Sequence, residues 1–231
     1  LLLALSDEQA VQIEKLSAKS HANGVHDVGI MGADDAFRLE PNLSPSVQGG
    51  LFIPRESVVD PFSVSIAYCE VAVSNGVDVV FGIRVSGVED AMKNVMKLVD
   101  ERGNRFPARI IVNVAGLGSR KFANSYLGES FDINPRRGQF LIYDKNTNHL
   151  ISRILLPVPT LKTKGKLIAP TIFGNLLVGP TAEDLPLGDI GATATTLDGI
   201  NEVREAAVGM CPILSDHLPI ASYAGARCNC K

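Results

Sequence analysis

A strand-like apolar run that ends in small residues is the segment of this chain that most directly indicates a binding function. Ile110–Val114 are β-branched apart from Asn113, and they lead directly into Ala115-Gly116-Leu117-Gly118-Ser119. Residues with almost no side chain let the backbone approach a bulky polar group such as the pyrophosphate of a dinucleotide. No G-x-G-x-x-G follows a strand anywhere in the 231 residues, so the sequence predicts only part of a dinucleotide-binding apparatus.

The histidines offer few arrangements that could carry catalysis. His217 follows Ser215-Asp216 and precedes the last predicted strand, so it is a weak candidate for a catalytic base. His21 lies at a helix end, and His26 and His149 lie in polar loops. The alternative for all four is a structural role. The chain has no nucleophile elbow, no H-E-x-x-H motif and no P-loop.

The four cysteines are Cys69, Cys211, Cys228 and Cys230. Their spacing matches neither a disulfide framework nor a zinc site with two halves, so we expect free thiols, a reducing compartment and no metal. Cys228-x-Cys230 could begin an iron–sulfur site, but no further ligands follow it. The alternative is a tail with two free thiols.

The composition is that of a soluble globular protein of one large or two small domains. Hydrophobic residues make up 45% and charged residues 20% of the chain, and the net charge is −3. This balance excludes the basic footprint of a nucleic-acid-binding protein and gives no attraction to an anionic membrane. No apolar run approaches the ~18 residues of a membrane span, so we expect no transmembrane segment. We expect a cytoplasmic location, with peripheral attachment to a membrane left open.

Caps and breakers predict three helices in the first third of the chain. Ser6 and Gln9 form a capping box, and Asn23-Gly24 ends that helix. The next helix begins at Asp34 and ends before Pro41, because the residue before a proline disfavours the helical conformation. Asp60-Pro61 begins a third helix, which Asn75-Gly76 ends.

Short apolar runs predict the strands. Leu1–Leu5 indicates a buried strand, and a chain that opens inside a strand without Met is expected to be a fragment of a longer polypeptide. The other predicted strands are 49–54, 77–81, 83–88, 110–114, 138–143, 153–156, 166–170, 175–179 and 219–223. A further helix is predicted over 193–210. The middle third therefore looks like βαβ units and the last hundred residues like an antiparallel sheet with a helix, which predicts an α/β and α+β fold of two domains.

Seven motifs, in this order, resemble those of the D-amino-acid-oxidase-like superfamily of flavoprotein dehydrogenases and oxidases. The nearest resemblance is to FAD-dependent glycerol-3-phosphate dehydrogenase, with L-2-hydroxyglutarate dehydrogenase as a near relative. The likeness covers Leu1 to Arg227. The motifs are Leu39–Leu43, Gly50–Pro54 with Val59–Pro61, Val112–Leu117, Pro135–Phe140, Lys164–Thr171, Gly174–Ala182 and Tyr223–Arg227.

The resemblance implies a partial FAD-binding Rossmann-like domain and an antiparallel-sheet substrate domain with flanking helices. It divides the chain into a substrate-domain segment (1–59), the C-terminal part of the FAD-binding domain (60–128), the substrate domain (129–218) and a return strand (219–231). The chain departs from the family in lacking the N-terminal glycine fingerprint. It also has Ala at position 226, where Leu is usual, and ends in Cys228-Asn229-Cys230-Lys231.

The resemblance also implies site residues. The cofactor FAD would contact Val85, Asn113, Ala115, Gly116 and Gly225. Arg227 is the first candidate for binding an anionic substrate, because a guanidinium holds a carboxylate or phosphate with two hydrogen bonds. Arg137 is the second candidate. The alternative for each arginine is a salt bridge with a structural carboxylate. We expect the glycine turn and Arg227 to converge on one flavin.

The implied reaction is oxidation of sn-glycerol 3-phosphate to dihydroxyacetone phosphate, with hydride passing to the flavin and electrons leaving to a quinone or other acceptor. The second substrate candidate is L-2-hydroxyglutarate, also a small anion. A third possibility, of another class, is a non-catalytic truncated remnant that binds no flavin. The missing pieces could also come from a separate subunit.

Overall fold

The computed structural model describes residues 1–90, 93–126, 131–159, 165–186 and 193–230. The chain forms two compact units: unit 1 is Leu1–Pro61, Arg137–Glu183 and Thr193–Gly225, and unit 2 is Phe62–Arg136, Asp184–Ala192 and Ala226–Lys231. The unit boundaries fall after residues 61 and 136, whereas the resemblance puts them after residues 59 and 128. The assignment of the segments to a substrate domain and an FAD domain stays a prediction.

The first sheet lies in unit 1 and has the order β2-β3-β1-β8. Its strands are β1 (Leu2–Ala4), β2 (Gly29–Gly32), β3 (Gly49–Phe52) and β8 (Leu156–Pro157). β3 is antiparallel to both β1 and β2, and β1 is parallel to β8. Position 50 must be glycine, because a Cβ there would collide with the carbonyl oxygen of Leu2. The predicted N-terminal strand is confirmed, with Leu3 and Ala4 fully buried.

The helices of unit 1 follow the sequence signals with two differences: the first predicted helix is split in two, and the helix predicted over 193–210 begins only at Leu197, after its cap Thr196. They are α1 (Asp7–Ala10), α2 (Ile13–Ala22), α3 (Ala33–Leu39) and α6 (Leu197–Met210). Ser6 caps α1, since its Oγ accepts from the Gln9 amide at 3.4 Å, while Gln9 Oε1 accepts from the Leu5 amide at 2.6 Å. The prediction of one continuous first helix was wrong, because α1 ends before α2 begins. The predicted stop at Asn23-Gly24 is confirmed, and Gly24 has φ +82°.

The second sheet carries most of the strands predicted for the last hundred residues. Its strands are β7 (Ile133–Tyr143), β9 (Leu167–Pro170), β10 (Leu176–Gly179), β11 (Glu183–Asp184) and β12 (Pro219–Cys230), in the order β11-β7-β10-β9, with β12 also paired to β7. The predicted hairpin is confirmed, with Leu176 opposite Pro170. The predicted strand over 153–156 is reduced to β8, with an isolated bridge between Leu155 and Ile168.

One apolar core joins this sheet to α6. Leu141 and Tyr143 on β7, Leu176 on β10 and Val203 and Ala207 on α6 are at most 1% exposed. Alternate residues of β7 face this core, as a strand requires, and they include the polar side chains of Arg137 and Gln139. These two polar groups are therefore built into the interior and need hydrogen-bond partners there.

Unit 2 is built around a three-stranded antiparallel sheet. Its elements are α4 (Pro61–Ser74, whose first residue belongs to unit 1), β4 (Val85–Glu89), β5 (Met96–Asp100), β6 (Arg105–Ala108) and α5 (Ser119–Tyr126), and the strand order is β4-β5-β6. The predicted start and end of α4 are confirmed. The predicted polar turn at 100–104 is also present, because Asp100 Oδ1 accepts from the amides of Arg102 and Asn104 at 2.9 and 2.7 Å.

Two predicted strands of the middle third were wrong. Residues 77–81 and 110–114 lie in no strand of the structure. Their composition is typical of strands, but a strand forms only where a neighbouring strand accepts its backbone hydrogen bonds. Val77 donates only to Ala72 in α4, and residues 78–81 and 110–114 have no backbone partner among the described residues. The βαβ units predicted here are therefore absent from the described part of the chain, while the mixed α/β and α+β fold class is confirmed. No helix in the described ranges is long and apolar enough to cross a bilayer.

Candidate cofactor and substrate site

The glycine turn of unit 2 is shaped by Asn113. Its Nδ2 donates to the carbonyl of Ser119 at 3.0 Å, and its Oδ1 accepts from the amide of Ala115 at 3.4 Å. Asn113 can do both because an amide side chain is donor and acceptor at once. Gly116 begins a 3-10 turn, Gly116–Gly118, that runs directly into α5.

The turn leaves room for a large polar group. Gly116 has φ +57°, a conformation that favours glycine, and a Cβ at this position would meet no atom within 4 Å. Ala115 and Gly116 are both exposed. These residues therefore fit the close approach of a dinucleotide cofactor, and the side chain of Asn113 holds the turn through its two hydrogen bonds to the backbone.

Val85 begins β4 and pairs with Asp100 across a β-bulge between Val85 and Gly87. Its side chain is 40% exposed. The adjacent Arg84 carbonyl accepts from the Glu101 amide at 3.0 Å, so the backbone at this strand end is already partly engaged. The FAD contact of Val85 stays a prediction.

Arg227 lies on β12 and is exposed. Its guanidinium makes no hydrogen bond or ion pair with any residue that the structure describes. Gly225, two residues earlier on the strand, is also exposed, and a Cβ there would meet nothing within 4 Å. Arg227 thus keeps its N–H donors available for an anion.

Arg137 is engaged by the protein itself. Its side chain is 10% exposed, and both Nε and Nη2 donate to Glu183 Oε2, at 3.0 and 2.7 Å. Its Nη1 donates to the Ala194 carbonyl at 3.0 Å. The salt bridge that the sequence analysis weighed as the alternative is therefore observed, and substrate binding by Arg137 stays a prediction.

Gln139 is a buried polar residue that was not predicted from the sequence to have a role. It is 1% exposed; its Nε2 donates to Thr196 Oγ1 at 3.1 Å, and its Oε1 accepts from the Thr196 amide at 2.7 Å. Thr196 Oγ1 in turn accepts from the Gly199 amide at 3.2 Å and so caps α6. A Cβ at position 199 would collide with the Gln139 amide, so any other residue there would have to displace that side chain. Arg137 and Gln139 are two residues apart on one strand and so share a face. This spacing was the sequence signal that could have indicated a pair of buried polar side chains.

Glu40 is a second buried polar residue that was not predicted. It is 3% exposed, and Ser152 Oγ and Arg153 Nη1 donate to its Oε1 at 2.6 and 3.3 Å. Arg153 also lines a cavity of about 450 Å³ together with Glu56 and Ser57. None of the predicted site residues lines this cavity.

His217 follows the short 3-10 turn Pro212–Asp216 and is half-buried. Its amide donates to the Leu214 carbonyl at 3.3 Å, and its imidazole has no hydrogen-bond partner among the described residues. Val85, Asn113, Ala115, Gly116 and Arg227 belong to unit 2, whereas Arg137, His217 and Gly225 belong to unit 1. The convergence of Asn113 and Arg227 on one flavin stays a prediction.

The chain belongs to the FAD dependent oxidoreductase family (DAO), whose model matches residues 1–231. It is 32% identical over 227 residues to a glycerol 3-phosphate dehydrogenase of Caloramator mitchellensis, covering 98% of this chain and 46% of the relative. It is 25% identical over 185 residues to L-2-hydroxyglutarate dehydrogenase of Escherichia coli K12, covering 79% of this chain and 43% of the relative.

A solved structure gives the same family likeness. The fold matches dithionite-reduced L-alpha-glycerophosphate oxidase from Mycoplasma pneumoniae with FAD bound, with a TM-score of 0.86 at 25% identity, over 100% of this chain and 61% of that one. The chain therefore spans about half the length of the curated relatives named here, and its family is FAD-dependent. The predicted family is confirmed.

Proposed function

We propose that this chain is part of an enzyme that oxidises sn-glycerol 3-phosphate to dihydroxyacetone phosphate. The observation that carries the proposal is the 32% identity to a glycerol 3-phosphate dehydrogenase, which extends over 98% of the chain. Bound FAD would supply the acceptor for the hydride of the carbon that bears the hydroxyl group, and a quinone or another acceptor would take up the electrons.

The residues of this chain have binding and positioning roles in the proposal. Asn113 holds the glycine turn so that Ala115 and Gly116 present backbone to the cofactor. Arg227 binds the substrate phosphate, because its guanidinium, which has no partner among the described residues, can donate two parallel hydrogen bonds to two phosphate oxygens. His217 is a candidate acceptor for the hydroxyl proton, since its imidazole nitrogens are not taken up within the described residues.

L-2-hydroxyglutarate is the second substrate candidate. The likeness to an L-2-hydroxyglutarate dehydrogenase over 79% of the chain favours it. Both substrates are small anions that carry a secondary alcohol, so Arg227 suits the carboxylate of one as well as the phosphate of the other. The contact of Arg227 with the anion is common to both, and the remaining polar contacts decide between them.

The test is a substrate panel on the polypeptide that purifies with flavin, recognised by its absorbance at about 450 nm. We expect glycerol 3-phosphate to reduce an electron-accepting dye faster than L-2-hydroxyglutarate or glycine does. Preferred oxidation of L-2-hydroxyglutarate would replace the first candidate with the second. The protein is incubated with FAD by itself and together with a polypeptide that corresponds to the part of the relatives that this chain does not match. Protein that stays colourless in both cases would favour a non-catalytic remnant.

A further inference from the structure

Two histidines of unit 1 lie side by side at the end of helix α2. The ring centroids of His21 and His26 are 6.1 Å apart, and the angle between the ring planes is 34°. Both residues are exposed, and neither imidazole has a hydrogen-bond partner among the described residues. A neutral imidazole has one ring nitrogen that can accept a hydrogen bond or ligate a metal. The pair therefore offers two metal-ligating nitrogens within a short distance.

The backbone between the two histidines is fixed by the way α2 ends. The Val25 amide donates to the Ser20 carbonyl at 3.0 Å, and the Gly24 amide donates to the His21 carbonyl at 2.9 Å. With Gly24 at φ +82°, these two bonds form a Schellman motif, a well-defined helix ending that satisfies carbonyls of the last turn. The rings of His21 and His26 are thus brought together by hydrogen bonds that do not involve their side chains.

The residue that follows the pair is tied to another segment of unit 1. The two carboxylate oxygens of Asp27 accept from Nε and Nη2 of Arg55, at 2.6 and 2.8 Å. This ion pair anchors the chain after the turn, and it also occupies the carboxylate nearest to the histidines. The described residues contain no group of three or more His, Cys, Asp and Glu that could hold a metal. A metal ion at the histidine pair would therefore complete its coordination with water.

The separation of the two rings suits a metal ion that binds imidazole. Zinc lies about 2.0–2.1 Å from each ligating nitrogen, which puts two imidazole centroids of a tetrahedral site roughly 5 Å apart. Small rotations of two exposed side chains bring the observed separation of 6.1 Å to this value. Imidazole ligands favour zinc, nickel and copper ions, whereas calcium and magnesium ions prefer oxygen ligands. The chemistry of the pair therefore selects a divalent transition metal.

We propose that His21 and His26 form a binding site for a divalent transition-metal ion of the zinc, nickel and copper class, which joins the end of α2 to the segment that leads into β2. Because the ion binds the folded turn, it stabilises the folded state. The cysteine spacing, from which no metal was expected, does not bear on this pair. The proposal uses none of the residues assigned to the cofactor or the substrate, so it does not rest on the proposed function.

The test is calorimetric titration of the whole chain with Zn²⁺. The protein is prepared without a polyhistidine tag, and its exposed thiols are first alkylated so that they cannot bind the metal. We expect saturable binding of one ion per chain. His21→Gln and His26→Gln should each weaken the affinity at least tenfold, because glutamine lacks the imidazole. The matched control is His149→Gln, which removes another exposed histidine of unit 1 and should leave the affinity unchanged.

Chemical modification of the unaltered chain gives a second readout that needs no variant. Diethyl pyrocarbonate modifies accessible imidazoles, and mass spectrometry locates the modified residues. We expect Zn²⁺ to lower the modification of His21 and His26 at least fivefold and to leave that of His149 unchanged, and we expect a chelator to reverse the protection. Absence of saturable binding, equal affinities in the three variants, or equal protection of all three histidines would each overturn the proposal.

Discussion

Arg227 and Arg137 differ in what they bind, and that difference supports different proposed roles for them. Arg227 is exposed and makes no ion pair with the described residues, whereas Arg137 is nearly buried and donates to Glu183 and to the Ala194 carbonyl. A guanidinium that is already paired with a carboxylate must give up that bond to receive a substrate. We therefore propose Arg227 as the better substrate ligand and Arg137 as a positioning residue for the backbone at Ala194.

Replacing Arg227 should weaken substrate binding. We expect Arg227→Gln to raise the KM for glycerol 3-phosphate about 10- to 100-fold in the flavin-loaded enzyme, because hydrogen bonds to a charged group are lost. Steady-state dye reduction measures this. Arg38→Gln, which removes a solvent-exposed arginine paired with Asp35, is the matched control and should leave KM unchanged. An unchanged KM in Arg227→Gln would remove Arg227 from the substrate site.

Replacing Arg137 should weaken the fold. We expect Arg137→Met to lower the free energy of unfolding by about 1–2 kcal/mol, because Glu183 and the Ala194 carbonyl lose a charged donor while half-exposed Glu183 recovers part of the loss from water. Urea denaturation measures the change, with Arg38→Met as the control. A shift no larger than that of the control would contradict the positioning role.

Cys211 should be unreactive and should make stability depend on pH. Burial raises the pKa of its thiol to about 11, whereas Cys69, Cys228 and Cys230 are exposed. We expect iodoacetamide at pH 8 to label those three and spare Cys211. A raised pKa in the folded state stabilises the protein below the ordinary thiol pKa, and this stabilisation is lost as the pH rises from about 9 to about 11.

The measurement is the difference in Tm between the unaltered chain and Cys211→Ala at pH 8 and at pH 10.5. The difference should shrink at the higher pH, since only the unaltered chain carries this thiol. A pH-independent difference, or labelling of Cys211 at pH 8 in the folded protein, would refute the assignment.

At the scale of the element, helix α6 depends on a side chain from β7. The amide of Gln139 holds Thr196 at the start of the helix, and the absence of a side chain at Gly199 makes room for it. The side chains of Arg136 and Arg137 thus bind the carboxylates of Asp184 and Glu183. Arg137 and Gln139 also bind backbone groups, namely the Ala194 carbonyl and the Thr196 amide.

Two glycines of α6 should respond to the same substitution in opposite ways. Gly199→Ala should lower the free energy of unfolding by about 1–3 kcal/mol, because its Cβ would displace Gln139 from the helix cap. Gly209→Ala, on the same helix and with nothing within 4 Å of its Cβ, should raise it by about 0.5–1 kcal/mol. Urea denaturation of both variants measures this. Equal effects would mean that Gln139 does not constrain position 199.

Local signals predicted the elements whose determinants are local. The cap at Ser6, the start at Asp60-Pro61 and the end at Asn23-Gly24 all depend on residues adjacent in sequence, and all are confirmed. The strands predicted at 77–81 and 110–114 were wrong because a strand depends on a partner elsewhere. Gln139 was missed for the same reason, since its partner Thr196 lies 57 residues away.

At the scale of the whole molecule, unit 1 and unit 2 differ in how fully they are covered. The described core residues are concentrated in unit 1, while more of the exposed large apolar residues in the described ranges belong to unit 2 than to unit 1. The family and the mixed fold class were predictable from motifs in order along the chain. The substrate was not predictable, because Arg227 is the proposed ligand of both candidate anions.

The parallel pairing of β1 with β8 has a consequence for biosynthesis. Leu2 lies beside Leu156, about 150 residues away along the chain, and a contact of such separation closes late because the intervening chain must lose its freedom first. Residues 156 and 157 must therefore be synthesised and leave the ribosome before β8 can pair with β1. Until then the buried leucines of the first strand are held only from the β3 side, and a nascent chain stalled before residue 156 would present them to chaperones.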